Sequence, residues 1–214
     1  PPFLIMQSLP KFHGVAPALV TPMNEDRSIN WVGLTKLIQH VSNGGVDYLV
    51  VQGTTGESAT TTSNEKKQIV STIQEANTKN LPIVYGLGGN NTDSLINQIK
   101  QTSFEGIDAI LSVCPYYNKP SARGVIAHYE AVADACPVPV IMYNIPGRTG
   151  INMSAETVLK LSEHKNIIGI IININFLMWQ FNFLVCYRVI IIIILFFSFL
   201  LNNNVIIIID IIWF

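Results

Sequence analysis

Short apolar runs alternate along the chain with segments whose apolar residues recur at helical spacing. The first such segment starts at Trp31, and we expect Asn30 to cap this helix and Gly44 to end it. The pattern predicts strands over residues 15–22, 47–51, 83–86, 109–113, 139–144 and 166–170. It also predicts helices that begin at Asn64, Thr92 and Ser121, and a last helix that Ser154 caps. Continuous apolar strands are buried on both faces, so the repeat predicts α/β architecture with a parallel sheet.

The number of βα units leaves two architectures open, a doubly wound sheet and a (β/α)8 barrel. Length favours a barrel that is cut after about five βα units and the start of a sixth strand, because a full barrel needs about 200–250 residues. The barrel pattern occupies residues 14–170. Residues 1–13 are assigned to an N-terminal arm, within which Met6 is the expected start of translation.

Residues 171–214 form an apolar tail that differs in composition from the rest of the chain. The tail contains no Gly, Pro or Lys, and its only charged residues are Arg188 and Asp210. It follows neither a strand period nor a helix period. Residues 176–201 are long enough to resemble a membrane span. The A/T-rich codons of Ile, Phe, Leu and Asn favour a second interpretation, translated noncoding DNA such as an unspliced intron.

Charge and cysteine content exclude several classes of protein. The chain has 13 Lys and Arg against 14 Asp and Glu, a net charge of −1, so we expect no nucleic-acid partner. Three cysteines without a Cys/His cluster predict neither a disulfide scaffold nor a metal site. We expect a soluble cytoplasmic protein, with membrane contact only if the tail is genuine. The histidines are expected at the surface, on the arm or on helices: His13, His40, His128 and His164.

The residues that suggest chemistry follow the predicted strands, where parallel folds place their sites. Gly53–Ser58 reads GTTGES, a turn whose backbone N–H groups can surround a small anion such as a carboxylate. Pro115–Pro120 (PYYNKP) and Tyr143–Gly150 (YNIPGRTG) supply phenols and one arginine. Phenols and hydroxyls can pass a proton along a chain of hydrogen bonds, and Arg148 can bind a carboxylate through two parallel bonds.

These three motifs, at these separations, resemble the dihydrodipicolinate synthase family. The resemblance covers residues 14–170, about half of a family member. GTTGE alone also fits the wider superfamily that includes N-acetylneuraminate lyase, whereas RTG after YNIP is typical of the synthase. The resemblance implies a TIM barrel of the class I aldolase type. It also implies a lyase of lysine and diaminopimelate biosynthesis that condenses pyruvate with aspartate semialdehyde, without a cofactor, as a homotetramer built from two dimers.

The resemblance also implies roles for individual residues. Tyr143 matches the tyrosine that transfers protons, and Thr54 matches the threonine that links it to a second tyrosine. That second tyrosine is matched by Tyr117 and reaches in from a neighbouring subunit. Thr55, within the turn that Gly53 opens, matches the residue that holds the pyruvate carboxylate, and Arg148 matches the arginine that binds the semialdehyde carboxylate.

Further positions match the pocket that binds lysine as a feedback inhibitor in some family members. These positions are Ser58, Ala59, Asn90 and Tyr116. Inhibited members often carry His or Trp, His, and Glu at the positions occupied here by Ser63, Lys66 and Ser94. We therefore do not expect feedback inhibition by lysine.

One departure from the family pattern concerns the Schiff-base lysine. The family follows NIIGI with that lysine, whereas this chain has Ile171. Lys119, Lys160 and Lys165 do not occupy an equivalent position, so the chain as given is predicted to be inactive. Two alternatives stay open, a noncatalytic remnant that is membrane-tethered or binds a partner, and a related keto-acid lyase such as N-acetylneuraminate lyase.

Overall fold

The computed structural model describes residues 10–12, 14–173 and 206–210. Strands and helices alternate along these residues, as the sequence pattern predicts. After a 3-10 helix at Pro10–Phe12, the elements are α1 (Trp31–Asn43), β1 (Leu49–Val51), α2 (Ser63–Ala76), β2 (Ile83–Gly86), α3 (Thr92–Gln101), β3 (Ala109–Val113), α4 (Ala122–Ala135), β4 (Val140–Asn144), α5 (Pro146–Thr149), α6 (Ala155–Ser162), β5 (Ile167–Asn173) and β6 (Ile206–Asp210). The chain divides into two compact units.

The first unit comprises the described residues of Leu9–Leu87 and Ser103–Leu111. Here β1 pairs with β2, and β2 pairs with the start of β3, both in parallel register. All three residues of β1 are buried, as expected for a strand covered on both faces. Helix α1 begins as predicted, because the Asn30 side chain accepts a hydrogen bond of 2.7 Å from the Gly33 N–H.

Two predictions in this unit need correction. Residues 15–22 form an isolated parallel bridge from Ala18 to Val50 and no regular strand, because Pro17 and Pro22 lack the N–H groups that a ladder needs. Helix α2 begins at Ser63 and not at Asn64, since Thr62 is its N-cap. The Thr62 N–H donates to the Glu65 carboxylate at 2.7 Å, in a capping box that stabilises the helix by about 1 kcal/mol.

The second unit contains Gly88–Thr102 and the described residues after Leu111. Strand β4 pairs in parallel with β5, and β5 pairs in parallel with β6. Strand β5 continues to Asn173, three residues beyond the predicted end of the barrel pattern. Strand β6 lies where the sequence predicts no regular element, because a run of identical isoleucines has no period of two.

The rest of the apolar tail, including the whole span candidate at residues 176–201, lies outside the described residues. Among the helices that the structure does describe, none has the length and apolar content to cross a bilayer.

His128 is buried on α4, so the predicted surface position is wrong for this residue. Its Nδ1 lies 2.9 Å from the Thr92 hydroxyl, and its ring packs edge-to-face on Tyr129. Burial lowers the pKa of His128 from 6.5 to about 4, because the charged ring would lose its hydration. His40 is exposed as predicted, and His164 is partly buried beside Asp134.

Candidate active site

The GTTGES segment of the first unit is a chain of tight turns after β1. The Gly56 N–H donates to the Gly53 carbonyl, and the Glu57 N–H donates to the Thr54 carbonyl, each at 3.1 Å. Within the described residues, the backbone N–H groups of Thr54 and Thr55 donate to no protein acceptor. The turn therefore has the unpaired donors that a small carboxylate requires.

The residue before this turn, Gln52, is buried and has a left-handed backbone with φ of 54°. Its amide nitrogen donates to the Thr21 hydroxyl at 3.1 Å and to the Gly56 carbonyl at 3.2 Å. Its amide oxygen accepts from the Thr61 hydroxyl at 2.9 Å. The side chain of Gln52 thus contacts the turn at Gly56 and the chain just beyond it at Thr61.

The PYYNKP segment of the second unit, Pro115–Pro120, is called the tyrosine loop below. Tyr117 is 89% exposed and has φ of 72°, whereas Tyr116 is 40% exposed. The Asn90 side chain donates to the Tyr116 carbonyl at 3.1 Å, and the Asn118 side chain donates to the Asn90 carbonyl at 3.4 Å. Two residues of the predicted regulatory pocket, Asn90 and Tyr116, therefore meet in this unit.

Tyr143 lies at the end of β4 and is buried, 4% exposed. In the parallel ladder its Cα partner is Ile171 of β5, which is also buried. Paired residues of neighbouring parallel strands project from the same face of the sheet. The structure thus places position 171 beside the phenol that the sequence predicts to move protons.

Arg148 lies on α5, a four-residue helix that the sequence analysis does not predict. The turn is closed by Gly150, with φ of 73°, and by the Thr149 hydroxyl, which lies 3.1 Å from the Ile145 carbonyl and 2.9 Å from the Ile151 carbonyl. Arg148 is exposed. Within the part of the chain that is described, its guanidinium makes neither a hydrogen bond nor an ion pair, so it can receive an anionic ligand.

The predicted residues are divided between the two units. Five belong to the first unit: Gly53, Thr54, Thr55, Ser58 and Ala59. The others belong to the second: Asn90, Tyr116, Tyr117, Tyr143, Arg148 and position 171. Within the second unit the structure brings together Asn90 with Tyr116, and Tyr143 with Ile171.

A family model, the dihydrodipicolinate synthetase family, matches residues 11–178, which is most of the chain. The chain belongs to this family. The 4-hydroxy-tetrahydrodipicolinate synthase of Cytophaga hutchinsonii is 52% identical over 159 residues, which are 74% of this chain and 54% of the relative. The chain spans about half the length of the curated relatives that it matches.

Solved structures of dihydrodipicolinate synthases agree with the family assignment. The Bacillus anthracis enzyme is 41% identical, with a TM-score of 0.70 over 73% of this chain and 54% of the other. The Acinetobacter baumannii enzyme, whose structure was determined in complex with pyruvate, is 34% identical, with a TM-score of 0.78 over 91% of this chain and 62% of the other. The predicted fold, part of a (β/α)8 barrel of the class I aldolase type, is confirmed.

In this member of the dihydrodipicolinate synthetase family, the residues that shape the predicted site carry no motif of their own and are not among the predicted residues. Gln52 and Thr21 support the GTTGES turn. Asn144 supports the segment after α5, since its amide donates to Asn152 at 2.7 Å and its oxygen accepts from the Met153 N–H at 3.3 Å. Both Gln52 and Asn144 are polar residues at the carboxyl end of a strand or directly after it, a position that could have drawn attention to them.

Proposed function

We propose that this chain carries the substrate-binding half of a pyruvate-dependent lyase and lacks the lysine that would make it active. The complete reaction condenses pyruvate with aspartate semialdehyde to give 4-hydroxy-tetrahydrodipicolinate, in diaminopimelate and lysine biosynthesis. The synthase names of the relatives and the pyruvate in the A. baumannii structure support this assignment. The pairing of Tyr143 with Ile171 is the observation that carries it.

The proposed chemistry begins when a lysine amine attacks the ketone carbon of pyruvate. Water leaves and an imine forms, and loss of a methyl proton converts the imine into an enamine, which attacks the aldehyde carbon. We assign proton transfer to Tyr143, with Thr54 and Tyr117 as the other members of its hydrogen-bonded chain. The burial of Tyr143 at the end of β4, beside position 171, supports this role, because the phenol is shielded from bulk water at the position where the amine would react.

Substrate binding is assigned to the two turns that carry unpaired donors. Thr55, in the turn opened by Gly53, is proposed to hold the pyruvate carboxylate, and the unpaired N–H groups of Thr54 and Thr55 support this role. Arg148 is proposed to hold the carboxylate of aspartate semialdehyde. Its exposed guanidinium has the planar, two-pronged geometry that carboxylates bind well.

The proposed assembly is a homotetramer in which Tyr117 enters the site of a neighbouring subunit. Exposure of 89% is unusual for a tyrosine and supports a contact outside this chain. Ser58, Ala59, Asn90 and Tyr116 are proposed to line a regulatory pocket. Ser63, Lys66 and Ser94 replace residues typical of lysine-inhibited members, so we propose that free lysine does not inhibit.

The proposed inactivity follows from the residue at position 171, since the isoleucine side chain has no nucleophile. Other lysines are poor substitutes. Lys160 pairs with Glu163 at 2.6 Å, and this carboxylate raises the pKa of Lys160, which keeps the amine protonated. Lys119 is exposed and lies over Gly150. A Schiff-base lysine needs a desolvated position that favours the neutral amine.

The proposal is tested by Ile171→Lys, with Ile172→Lys as the matched control on the other face of β5. Each variant is incubated with pyruvate and borohydride, and the intact mass is measured. We expect a reduced pyruvyl adduct in Ile171→Lys alone. Equal labelling of both variants, or no labelling of a folded Ile171→Lys chain, would contradict the proposed position of the nucleophile.

A further inference from the structure

We propose that Gln52 is a positioning residue that shapes the carboxylate-binding turn Gly53–Thr62, called the Gln52 loop below. This inference rests on the proposed function, because it concerns the turn assigned above to pyruvate. It adds a residue that touches no substrate and acts through the backbone of Thr54 and Thr55.

The backbone of Gln52 has an unfavourable conformation. Its φ of 54° is left-handed, a conformation that costs an L-residue other than glycine roughly 1–2 kcal/mol. A glycine would adopt it without that cost. A glutamine at this position therefore indicates that the side chain repays the cost through its own contacts.

The side chain of Gln52 is buried and fully hydrogen-bonded. Gln52 is 2% exposed, and both ends of its amide are bonded. The nitrogen reaches Thr21 and the Gly56 carbonyl, and the oxygen receives the Thr61 hydroxyl. Thr21 also donates to the Gly56 carbonyl at 2.7 Å. The Gly56 carbonyl is thus held by two donors, which fixes the middle of the loop.

Two glycines, Gly86 and Gly56, lie against the backbone of Gln52. A Cβ at Gly86 would overlap the Gln52 carbonyl oxygen and lie 2.8 Å from the Gly53 nitrogen. A Cβ at Gly56 would lie 3.1 Å from the Gln52 Cα and 3.1 Å from the Leu19 carbonyl. The chain therefore passes close to Gln52 on two sides, and the residue lies at the centre of the turn.

The consequence concerns the unpaired N–H groups. The Gln52 side chain is hydrogen-bonded to Gly56 and to Thr61. Thr54 and Thr55 lie between Gln52 and Gly56. Two fixed points four residues apart leave the intervening peptide planes little freedom to rotate. Gln52 therefore holds the Thr54 and Thr55 donors in place before a carboxylate arrives, which reduces the entropy lost on binding.

The test compares Gln52→Met with Gln74→Met in the full chain. Gln74 is a matched control in the same unit, because its side chain also donates to a carbonyl, that of Glu105, at 2.6 Å. Amide hydrogen exchange is measured for the Gln52 loop and for α1, with and without sodium pyruvate. We expect Gln52→Met to speed exchange in the loop about tenfold, to leave α1 unchanged, and to weaken pyruvate binding about tenfold.

Unchanged loop exchange in Gln52→Met would overturn the inference, as would equal acceleration in Gln74→Met. If Gln52→Met does not fold, Thr61→Val and Thr61→Ser decide the matter. Valine removes the hydroxyl that bonds the Gln52 oxygen, whereas serine keeps it. Faster loop exchange and weaker pyruvate binding in the valine variant, with rescue by serine, support the role of Gln52, and identical behaviour of the two variants overturns it.

The exchange data also separate this inference from the proposed function. If pyruvate slows no amide of the Gln52 loop in the unmodified chain, the proposed carboxylate site is wrong. The effect of Gln52→Met on the ligand-free loop then still decides whether Gln52 shapes the turn.

Discussion

Gln52, directly before the Gln52 loop, and Tyr117, within the tyrosine loop, both have a left-handed backbone without being glycine, but the two residues are stabilised differently. Gln52, with φ of 54°, is buried, and its side chain makes three hydrogen bonds. Tyr117, with φ of 72°, is 89% exposed, and its loop is joined to Asn90 by two bonds of 3.1 and 3.4 Å. The hydrogen bonds of the Gln52 side chain are all made to residues of its own unit, whereas the Tyr117 side chain is exposed to solvent.

The same backbone conformation thus occurs in two different surroundings. Buried hydrogen bonds of the Gln52 side chain offset the strain before the Gln52 loop, which fits the role in carboxylate binding that we propose for this turn. Within the described residues, the Tyr117 side chain makes no comparable contact that would offset the strain. We interpret the tyrosine loop as prepared for a partner whose contact would supply the missing stabilisation.

The largest expected effect comes from crowding the backbone around Gln52. We expect Gly86→Ala to lower the free energy of unfolding by about 3 kcal/mol, because its Cβ meets backbone atoms that cannot move aside. Gly53→Ala is the matched control, since its Cβ would contact only Val50, at 3.9 Å. That variant should stay within about 0.5 kcal/mol of the unmodified chain in a denaturant titration.

Removing the Gln52 side chain should have the next largest effect. Gln52→Gly relieves the left-handed strain, yet it leaves the Thr61 hydroxyl and the Gly56 carbonyl with fewer partners. We expect the free energy of unfolding to fall by about 2 kcal/mol, because three side-chain hydrogen bonds of about 1 kcal/mol each are lost with a buried side chain, and only roughly 1–2 kcal/mol of strain is relieved. A gain in stability, measured by the same titration, would show that the side-chain bonds do not offset the strain.

Acid should destabilise the unit that carries the tyrosine loop through His128 on the following helix. The pKa of His128 is about 4 when folded, below the ordinary value of 6.5, so the unfolded chain takes up the proton first as the pH falls. The contribution of neutral His128 to the free energy of unfolding is complete above pH 6.5 and is lost as the pH falls from 6.5 to about 4.

At pH 5 this loss amounts to about 2 kcal/mol relative to pH 8. Unfolding titrations of the unmodified chain and of His128→Gln measure the difference. The glutamine variant should lose less stability over this pH range, and parallel pH profiles would contradict the assignment to His128.

Tyr117→Gly should have the smallest effect, and the opposite sign. An exposed tyrosine loses almost no packing when it is removed, and glycine adopts the left-handed backbone without strain. We expect a gain of about 0.5 kcal/mol after the extra entropy of an unfolded glycine is subtracted. Tyr116→Gly is the control without a left-handed backbone and should gain nothing.

The sequence predicts the longer helices and most strands of this chain because their signals are local, whereas the four-residue helix α5 is not predicted. Asn30 and Ser154 cap helices as expected, since a side-chain oxygen before an apolar period is typical of that position, whereas Ser121, predicted to begin α4, is its N-cap. The strand predicted over residues 15–22 does not form, because Pro17 and Pro22 have no N–H group to donate to a sheet ladder. The burial of His128 is not predictable from its own helix, since it depends on Thr92 of α3.

The candidate site is predictable at the level of motifs and not of supporting contacts. Tyr143, Arg148 and the threonines are found because a family pattern marks them. Gln52 belongs to no such motif. Its left-handed backbone leaves no signal in the sequence, and its hydrogen bonds to Thr21 and Thr61 form only in the folded chain. Position 171 is found from the family pattern as well, but its pairing with Tyr143 emerges only from the strand register.

The most direct test of the account is the reaction of the unmodified 214-residue chain with pyruvate and borohydride. We predict no covalent pyruvate adduct, because Ile171 occupies the position beside Tyr143 where we propose that the nucleophile would lie. A stable pyruvyl adduct on any lysine, located by peptide mass analysis, would contradict the claim that this chain lacks its catalytic amine.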